Sequence, residues 1–167
     1  PIKKKFDYVT YFTSNNDEYK FTYKKPTNQG KIIEKLVNLN LIKYKLKIRV
    51  HPNTKNKSDE TKRYWDQLKA LYPNIIINYN EEITSEYLCR KSFLTMSMGS
   101  SVAAESLIFD TPHILIGNQH WYVNLPGYYQ CSEINFVSYL KKFLNKNKNK
   151  FFVKKKYKFI AAASLLF

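Results

Sequence analysis

Two short stretches of this chain hold residues whose types and spacing could do chemistry. Gly99-Ser100-Ser101, followed by Glu105, sets two hydroxyls and a carboxylate around a tight turn. Where such a turn opens a helix, its backbone N–H groups suit an anionic group such as phosphate. Glu105 lies one helical turn further on, where a carboxylate accepts hydrogen bonds from sugar hydroxyls. A plainer reading stays open, with Ser101 as a helix N-cap and Glu105 as a favourable first-turn acid. The second stretch is Arg49-Val50-His51-Pro52-Asn53. Residues two apart on an extended chain point to the same side, so Arg49 and His51 share a face. A cation and an imidazole at a strand's carboxyl end suit phosphate or a nucleotide base. The alternative is a strand whose polar face meets water.

These residues need a frame to bring them together. Phe93–Met98 reads as a buried strand, Val102–Phe109 as a helix ended by Pro112, and His113–Ile116 as a second buried strand. Strand, turn, helix and strand in so short a span make a βαβ crossover of a parallel sheet. Ligands of such sheets bind beyond the carboxyl ends of the strands. Upstream, Tyr8–Thr13 reads as a strand running into the polar turn Ser14-Asn15-Asn16-Asp17-Glu18. An irregular stretch over 20–29 contains the breaker Pro26. Ile32, Ile33, Leu36, Val37 and Leu39 repeat at helical spacing and predict a helix over 28–40. Leu46–Val50 is the next strand, stopped by Pro52. After a polar loop at 55–59, Tyr64, Trp65, Leu68, Leu71 and Tyr72 mark an amphipathic helix ended at Pro73. Trp65 reads as core rather than as a stacking platform. Ile75–Ile77 is a short strand, and Thr84 caps a short helix through Tyr87, Leu88 and Arg90. Residues 118–126 read as irregular. Ser132 caps a last helix with Phe136, Val137, Leu140, Phe143 and Leu144 on one face.

Five strands alternating with five helices predict an α/β fold, a Rossmann-like parallel sheet with helices on both faces. Its mouth would collect Thr13, Ser14, Arg49, His51, Asn53, Tyr87, Ser100, Ser101 and Glu105, with Asp17 and Glu18 on the first loop. The chain has neither GxGxxG nor a Walker A sequence, so a standard dinucleotide or P-loop site is unsupported.

The 167 residues suit one domain with a real core. A hydrophobic share of 44%, with 16% aromatic, argues against disorder. No apolar run reaches the roughly 18 residues of a membrane span. The net charge is +15, but residues 141–158 hold nine Lys and no acid, and removing those nine charges leaves +6. We therefore divide the chain into a Rossmann-like domain at 1–145 and a Lys-rich tail with an apolar end at 146–167. A basic run binds nucleic acid or an anionic membrane surface, or is a solvated tail. Without an RNP, KH, helix-turn-helix or zinc-finger signature, nucleic acid is not the expected partner. Cys89 and Cys131 read as reduced thiols of a cytoplasmic protein, with the inner face of the membrane as a peripheral station for the tail. His51, His113 and His120 have no ligand spacing, so no metal and no resident cofactor is expected. The chain begins at Pro1 without an initiator Met and reads as a fragment or a trimmed chain.

FTSNNDEY (12–19), IRVHPN (48–53), ITSEYL (83–88), GSSVAAES (99–106) and TPHILIG (111–117) follow the order found in capsule polysaccharide biosynthesis proteins. The chain resembles these bacterial glycosyltransferases of GT-B architecture, related to Kdo transferases, over roughly residues 8–140. Polysialyltransferases share the His-Pro and Ser-Ser pair, as do CDP-glycerol glycerophosphotransferases more loosely. The resemblance implies the carboxyl-terminal, donor-binding half of a two-domain enzyme using a CMP-activated sugar such as CMP-Kdo or CMP-sialic acid. It implies that His51, Ser100 and Ser101 contact the cytidine nucleotide, that Glu105 meets ribose or sugar, and that Arg49 supports the phosphate. Thr13, Ser14, Asp17 and Glu18 would face the interdomain cleft. The general base is expected in an amino-terminal domain, so this half alone should bind donor without turnover. The acceptor implied is a polysaccharide or glycolipid. Ala103 stands where family members often carry Gly, and the Asp they place near Phe93 is lacking. Ser97-Met98-Gly99 favours the capsule type over the glycerophosphate type. CDP-glycerol transfer and another nucleotide-sugar transfer remain the enzyme alternatives. A non-catalytic basic module at an anionic membrane surface is the alternative of a different class.

Overall fold

The computed structural model of the protein describes residues 7–14, 29–39, 41, 44–117, 128–146, 154–163 and 165. Strands β1 (Tyr8–Phe12), β2 (Lys45–Arg49), β3 (Ile76–Ile77), β4 (Ser92–Ser97), β5 (His113–Ile116) and β6 (Tyr128–Cys131) form one sheet. Their order is β3-β2-β1-β4-β5-β6 and every pair is parallel. In this doubly wound order the connections reverse direction between β1 and β4, which opens a crevice at their carboxyl ends. The helices are α1 (Gln29–Val37), α2 (Asp59–Leu71), α3 (Ser85–Lys91), α4 (Val102–Ile108), α5 (Phe136–Lys146) and α6 (Lys155–Ala163), with a 3-10 turn at Pro52–Asn56.

Alternation along the strands splits the sheet into two unlike faces. One face carries Val9, Tyr11, Leu46, Ile48, Leu94, Met96, Ile114 and Ile116, buried against Ile32, Ile33 and Leu36 of α1, Trp65 of α2, and Phe136, Leu140 and Phe143 of α5. Each such side chain contributes about 1.5–3 kcal/mol by leaving water. Tyr44 stacks on Phe93 at 4.7 Å between ring centroids, and Phe143 meets Tyr129 edge-on at 4.9 Å.

The other face is polar at its centre. Thr10 Oγ1 lies 2.7 Å from Ser92 Oγ. Ser106 Oγ of α4 donates to Val102 O at 2.7 Å and lies 2.7 Å from Thr95 Oγ1. Thr95 Oγ1 lies 2.9 Å from Nδ1 of the fully buried His113, and Ser97 Oγ lies 3.0 Å from its Nε2. Thr95 Oγ1 also donates to Pro112 O at 3.3 Å, so both ring nitrogens of His113 meet hydroxyls that are themselves tied to the strand and the helix. Ala103, Ala104 and Leu107 complete the inner side of α4, and Ala161 of α6 is buried against them. Small residues let this helix close on its neighbours, and hydrogen bonds lock its rotation.

Several elements differ from the sequence reading. The sheet has six strands, not five, because Tyr128–Cys131 adds a parallel edge strand beside β5. Pro112 does not end α4. The helix stops at Ile108 and the chain reverses at Asp110, which has φ 58°. Thr111 N–H donates to Ser106 O at 2.8 Å and Asp110 N–H to Leu107 O at 3.2 Å, the paired bonds of a Schellman motif with Asp in the usual glycine position. Within the tail at 146–167, Lys155–Ala163 is a helix. Tyr157 and Ala161 pack against the α4 cluster, and Lys158 Nζ bonds Asp110 Oδ2 at 2.6 Å. Of the irregular stretch expected at 20–29, residues 20–28 lie outside the described residues and Gln29 is the first residue of α1; the stretch expected at 118–126 also lies outside them. Among the described residues, no helix is long and apolar enough to cross a membrane.

Candidate functional site

At the carboxyl ends of β1, β2 and β4 lies a cavity of about 520 Å³, within the range of small-ligand sites. Thr13, Arg49, His51, Ser100, Ser101 and Glu105 all line it, so six side chains singled out in the sequence converge from three strand ends. The opposite wall is the segment Glu81–Ser85, which leads from β3 into α3.

Each element places its contribution through a specific bond. Thr13 N–H donates to Arg49 O at 3.0 Å, extending the β1–β2 ladder by one residue. His51 N–H donates to Thr13 Oγ1 at 2.8 Å, which fixes the first residue of the His-Pro turn. Asn53 N–H donates to His51 Nδ1 at 3.2 Å. An accepting Nδ1 carries no proton, so the neutral ring holds its proton on Nε2. Ser14 Oγ donates to Gly99 O at 3.1 Å, joining the β1 loop to the Gly-Ser-Ser turn. Gly99 has φ 156°, a backbone value glycine tolerates best.

The Ser101 hydroxyl makes no capping bond to α4, and the residue is exposed at the cavity wall. The plain N-cap reading of Ser101 therefore fails. The expected free N–H groups at this turn are, however, largely engaged. Ala103 N–H donates to Ser100 O, and the Ala104 and Glu105 N–H groups donate to Ser101 O. Val102 N–H reaches Ser100 Oγ at 3.4 Å. A seven-residue helix that starts with i→i−3 bonds consumes its first donors locally. The hydroxyls, more than the helix end, are what this turn offers a ligand.

Glu105 Oε2 accepts from Ser85 Oγ at 2.5 Å, so the carboxylate is oriented from across the cavity. Arg49 is buried, and its guanidinium donates to the carbonyls of Asn78 and, at 3.1 Å, Glu81. Burial lowers its pKa, partly offset by the Glu81 charge. Two donors of the expected phosphate cation thus hold the opposite wall. The Glu81 carboxylate accepts from Asn78 N–H at 2.7 Å and Lys69 Nζ at 2.9 Å. Burial pushes its pKa up. The Asn78 and Lys69 bonds and the Lys69 and Arg49 charges outweigh that and hold the carboxyl below its ordinary value.

Not every expected residue faces the cavity. Ser14 is buried beneath it, its N–H donating to Gln29 Oε1 at 2.7 Å and its carbonyl accepting from Gln29 Nε2 at 3.2 Å. Asn53 is exposed on the 3-10 turn and acts on His51 through its N–H. Tyr87 is half exposed and neighbours Tyr8, at the amino end of β1 away from the mouth, where it adds to the burial that raises the Tyr8 pKa. The helix explains this: Ser85 faces the cavity, and two residues further the side chain has turned by about 200°. Asp17 and Glu18 lie outside the described residues. Ser85 and Glu81 were not anticipated. The signals for them were a second hydroxyl beside the Thr84 cap and an acid pair just after a strand. Among the described residues, no group of three or more His, Cys, Asp or Glu is placed to hold a metal ion.

The arrangement offers hydroxyl donors, an oriented carboxylate and an imidazole N–H around a crevice at the switch point of a doubly wound sheet. An α/β domain with a six-stranded parallel sheet of this kind is one half of GT-B-like structures. Two such matches are structures of UDP-GlcNAc 2-epimerase from Methanocaldococcus jannaschii. One has a TM-score of 0.59 at 19% identity, covering 96% of this chain and 46% of that one. The other, in complex with UDP-GlcNAc and UDP, has a TM-score of 0.58 at 19% identity, covering 97% and 46%. A third is the wall teichoic acid polymerase TagF, soaked with CDPG, with a TM-score of 0.50 at 17% identity, covering 95% of this chain and 36% of that one. The chain spans less than half the length of each. No protein-family model matches the sequence, and no curated sequence aligns with it.

Proposed function

We propose that this chain is the donor-binding half of a metal-independent glycosyltransferase of capsule or surface polysaccharide synthesis, taking a CMP-activated sugar such as CMP-Kdo or CMP-sialic acid. The observation that carries this reading is the convergence of His51, Ser100, Ser101 and Glu105 on one crevice. In glycosyl transfer, negative charge builds on the leaving nucleotide and must meet preorganised donors. The Ser100 and Ser101 hydroxyls and His51 Nε2–H supply them. Glu105, oriented by Ser85, takes the hydroxyls of the ribose or sugar. The base that deprotonates the acceptor belongs to a second domain facing this crevice, and the acceptor is a polysaccharide or glycolipid. The site works in the cytoplasm, where activated sugars are made. Likeness in fold to TagF favours CDP-glycerol transfer as the second reading.

Calorimetric titration with CMP, CDP, UDP and UMP tests the proposal, repeated on His51→Ala and Ser101→Ala. Cytidine nucleotides bind, and each substitution weakens them by about tenfold, the worth of one hydrogen bond to a charged group. Uridine preference would keep the fold and overturn the donor class. Intact CMP-sialic acid against CDP-glycerol then separates the two cytidine readings.

A further inference from the structure

Away from the crevice, α1 and α5 run side by side over the apolar face of the sheet, and a groove of about 450 Å³ lies between them. Lys31 and Lys35 line one wall, Lys141 the other, and Leu39 and Val137 give it apolar surface. Glu34 is the single acid in the lining. All three lysines are exposed, and none forms an ion pair among the described residues. The Lys35 ammonium sits 5.8 Å from the Phe136 ring centroid, which holds it against the first residue of α5.

The spacing selects the kind of ligand. Lys31 and Lys35 are one turn apart on α1, about 5–6 Å at Cβ, and Lys141 faces them. Exposed charges spread over the two walls of an open groove suit a chain with repeated negative charges, not one small anion, which needs converging and buried donors. A concave groove does not suit a flat bilayer, and no aromatic side chain lines it to stack a nucleobase. The groove also leads from the site. The α1 helix starts at Gln29, whose amide clamps Ser14 beside the mouth.

We infer that the α1–α5 groove binds a linear anionic glycan, the chain to which sugar is transferred, with its growing end towards the crevice. This rests on the proposed function for the identity of the chain, while the groove's polyanion chemistry stands on its own lysines.

The test uses fluorescence anisotropy with a labelled oligosialic acid, carrying carboxylates, and a labelled oligo(glycerol phosphate), carrying phosphodiesters. The proteins are the full chain and its Lys31→Glu, Lys35→Glu, Lys141→Glu triple variant, with CMP titrated into the same samples. In the triple variant glycan affinity falls on the order of a hundredfold at low salt, its salt dependence flattens, and CMP affinity is unchanged. Of the two oligomers the oligosialic acid, which is a glycan, binds the tighter, and tighter binding of the oligo(glycerol phosphate) would count against a glycan as the chain. Circular dichroism confirms that the exposed substitutions leave the fold intact. Three results overturn the inference: no oligomer binding by the full chain, equal binding of an oligo-dT of matched charge, or binding that survives in the triple variant and is lost on neutralising Lys148, Lys150, Lys154 and Lys156. Groove-dependent glycan binding without any nucleotide binding would keep the groove and discard the donor reading.

Discussion

The two faces of the sheet are built from different chemistry, and only one of them touches the crevice through its helices. The face under α1, α2 and α5 is a continuous apolar cluster. Burial of that kind is non-directional, so side chains of similar volume can replace one another. The face under α3 and α4 carries Thr10, Ser92, Thr95, Ser97 and His113, each fully buried and each hydrogen-bonded. Directional bonds with low tolerance are a costly way to fill a core. They have the compensating effect of fixing α4 in rotation and height, and α4 carries Ser101 at its start and Glu105 on its first turn. The contrast teaches that the apolar face supplies stability while the polar face supplies position.

Near-isosteric changes on the two faces should separate these roles. His113→Leu strands the Thr95 and Ser97 hydroxyls without their ring partner, which costs on the order of 3 kcal/mol in urea unfolding. Met96→Leu on the opposite face costs less than about 1.5 kcal/mol. Nucleotide affinity at temperatures where both variants are folded should fall in His113→Leu alone. Equal, small losses in the two variants would show that the hydroxyl and imidazole network does not position α4.

The next largest effect lies at the far wall. Arg49→Met keeps much of the buried stem and removes two bonds to the carbonyls of Asn78 and Glu81, for a loss of about 2 kcal/mol. Hydrogen exchange should then speed up in residues 78–85 while β4 and β5 keep their protection. If Arg49 acts instead only on a ligand's phosphate, exchange in that wall is unchanged without nucleotide, and only affinity falls.

A smaller effect, with a pH signature, comes from Glu81. Its carboxyl is held below the ordinary range when folded. Its contribution is therefore complete above the unfolded carboxyl value of about 4.3 and is lost as pH falls through the lower folded value. Glu81→Gln should cost about 1 kcal/mol near neutrality, since the pair with Lys69 is a third exposed and screened. Against pH, the wild-type advantage should shrink on the acid side and vanish below the folded carboxyl value. An advantage that persists at that acidity would mean the Asn78 and Lys69 bonds do not depend on the charge.

The doubly wound sheet was legible because strand and helix periods alternate cleanly from Tyr8 to Ile116. The convergence of His51, Ser100, Ser101 and Glu105 followed from the same alternation, since residues just past parallel strands share one edge. What was not legible depended on partners without a side-chain signature. Arg49 bonds backbone carbonyls, which any residue presents, so its commitment to the wall could not be read from its neighbours in sequence. β6 is a four-residue edge strand beginning with Tyr128-Tyr129, too short to show a period. α6 hides because its buried side rests on little more than Tyr157 and Ala161, while its lysines dominate the composition. Tyr87 was placed at the mouth because its helix starts there, but two residues past Ser85 the helical turn carries its side chain away.

The smallest effect concerns the link between α4 and α6. Asp110 stands in a left-handed conformation that Asp adopts at some cost and Gly adopts freely. It also bonds Lys158 at 2.6 Å with both side chains about a third exposed. Asp110→Gly relieves the backbone and loses the ion pair; Asp110→Asn loses the pair and keeps a residue that tolerates this conformation; Lys158→Met loses the pair alone. A partly exposed pair is worth about 0.5 kcal/mol, and the backbone relief is of similar size. Asp110→Gly should therefore leave stability unchanged within error, and the other two should each lower it by about 0.5 kcal/mol. If the Gly variant is clearly stabilised, the ion pair contributes nothing and α6 is held by Tyr157 and Ala161. If all three lose equally, the Schellman turn carries no strain and the pair is the whole of the link.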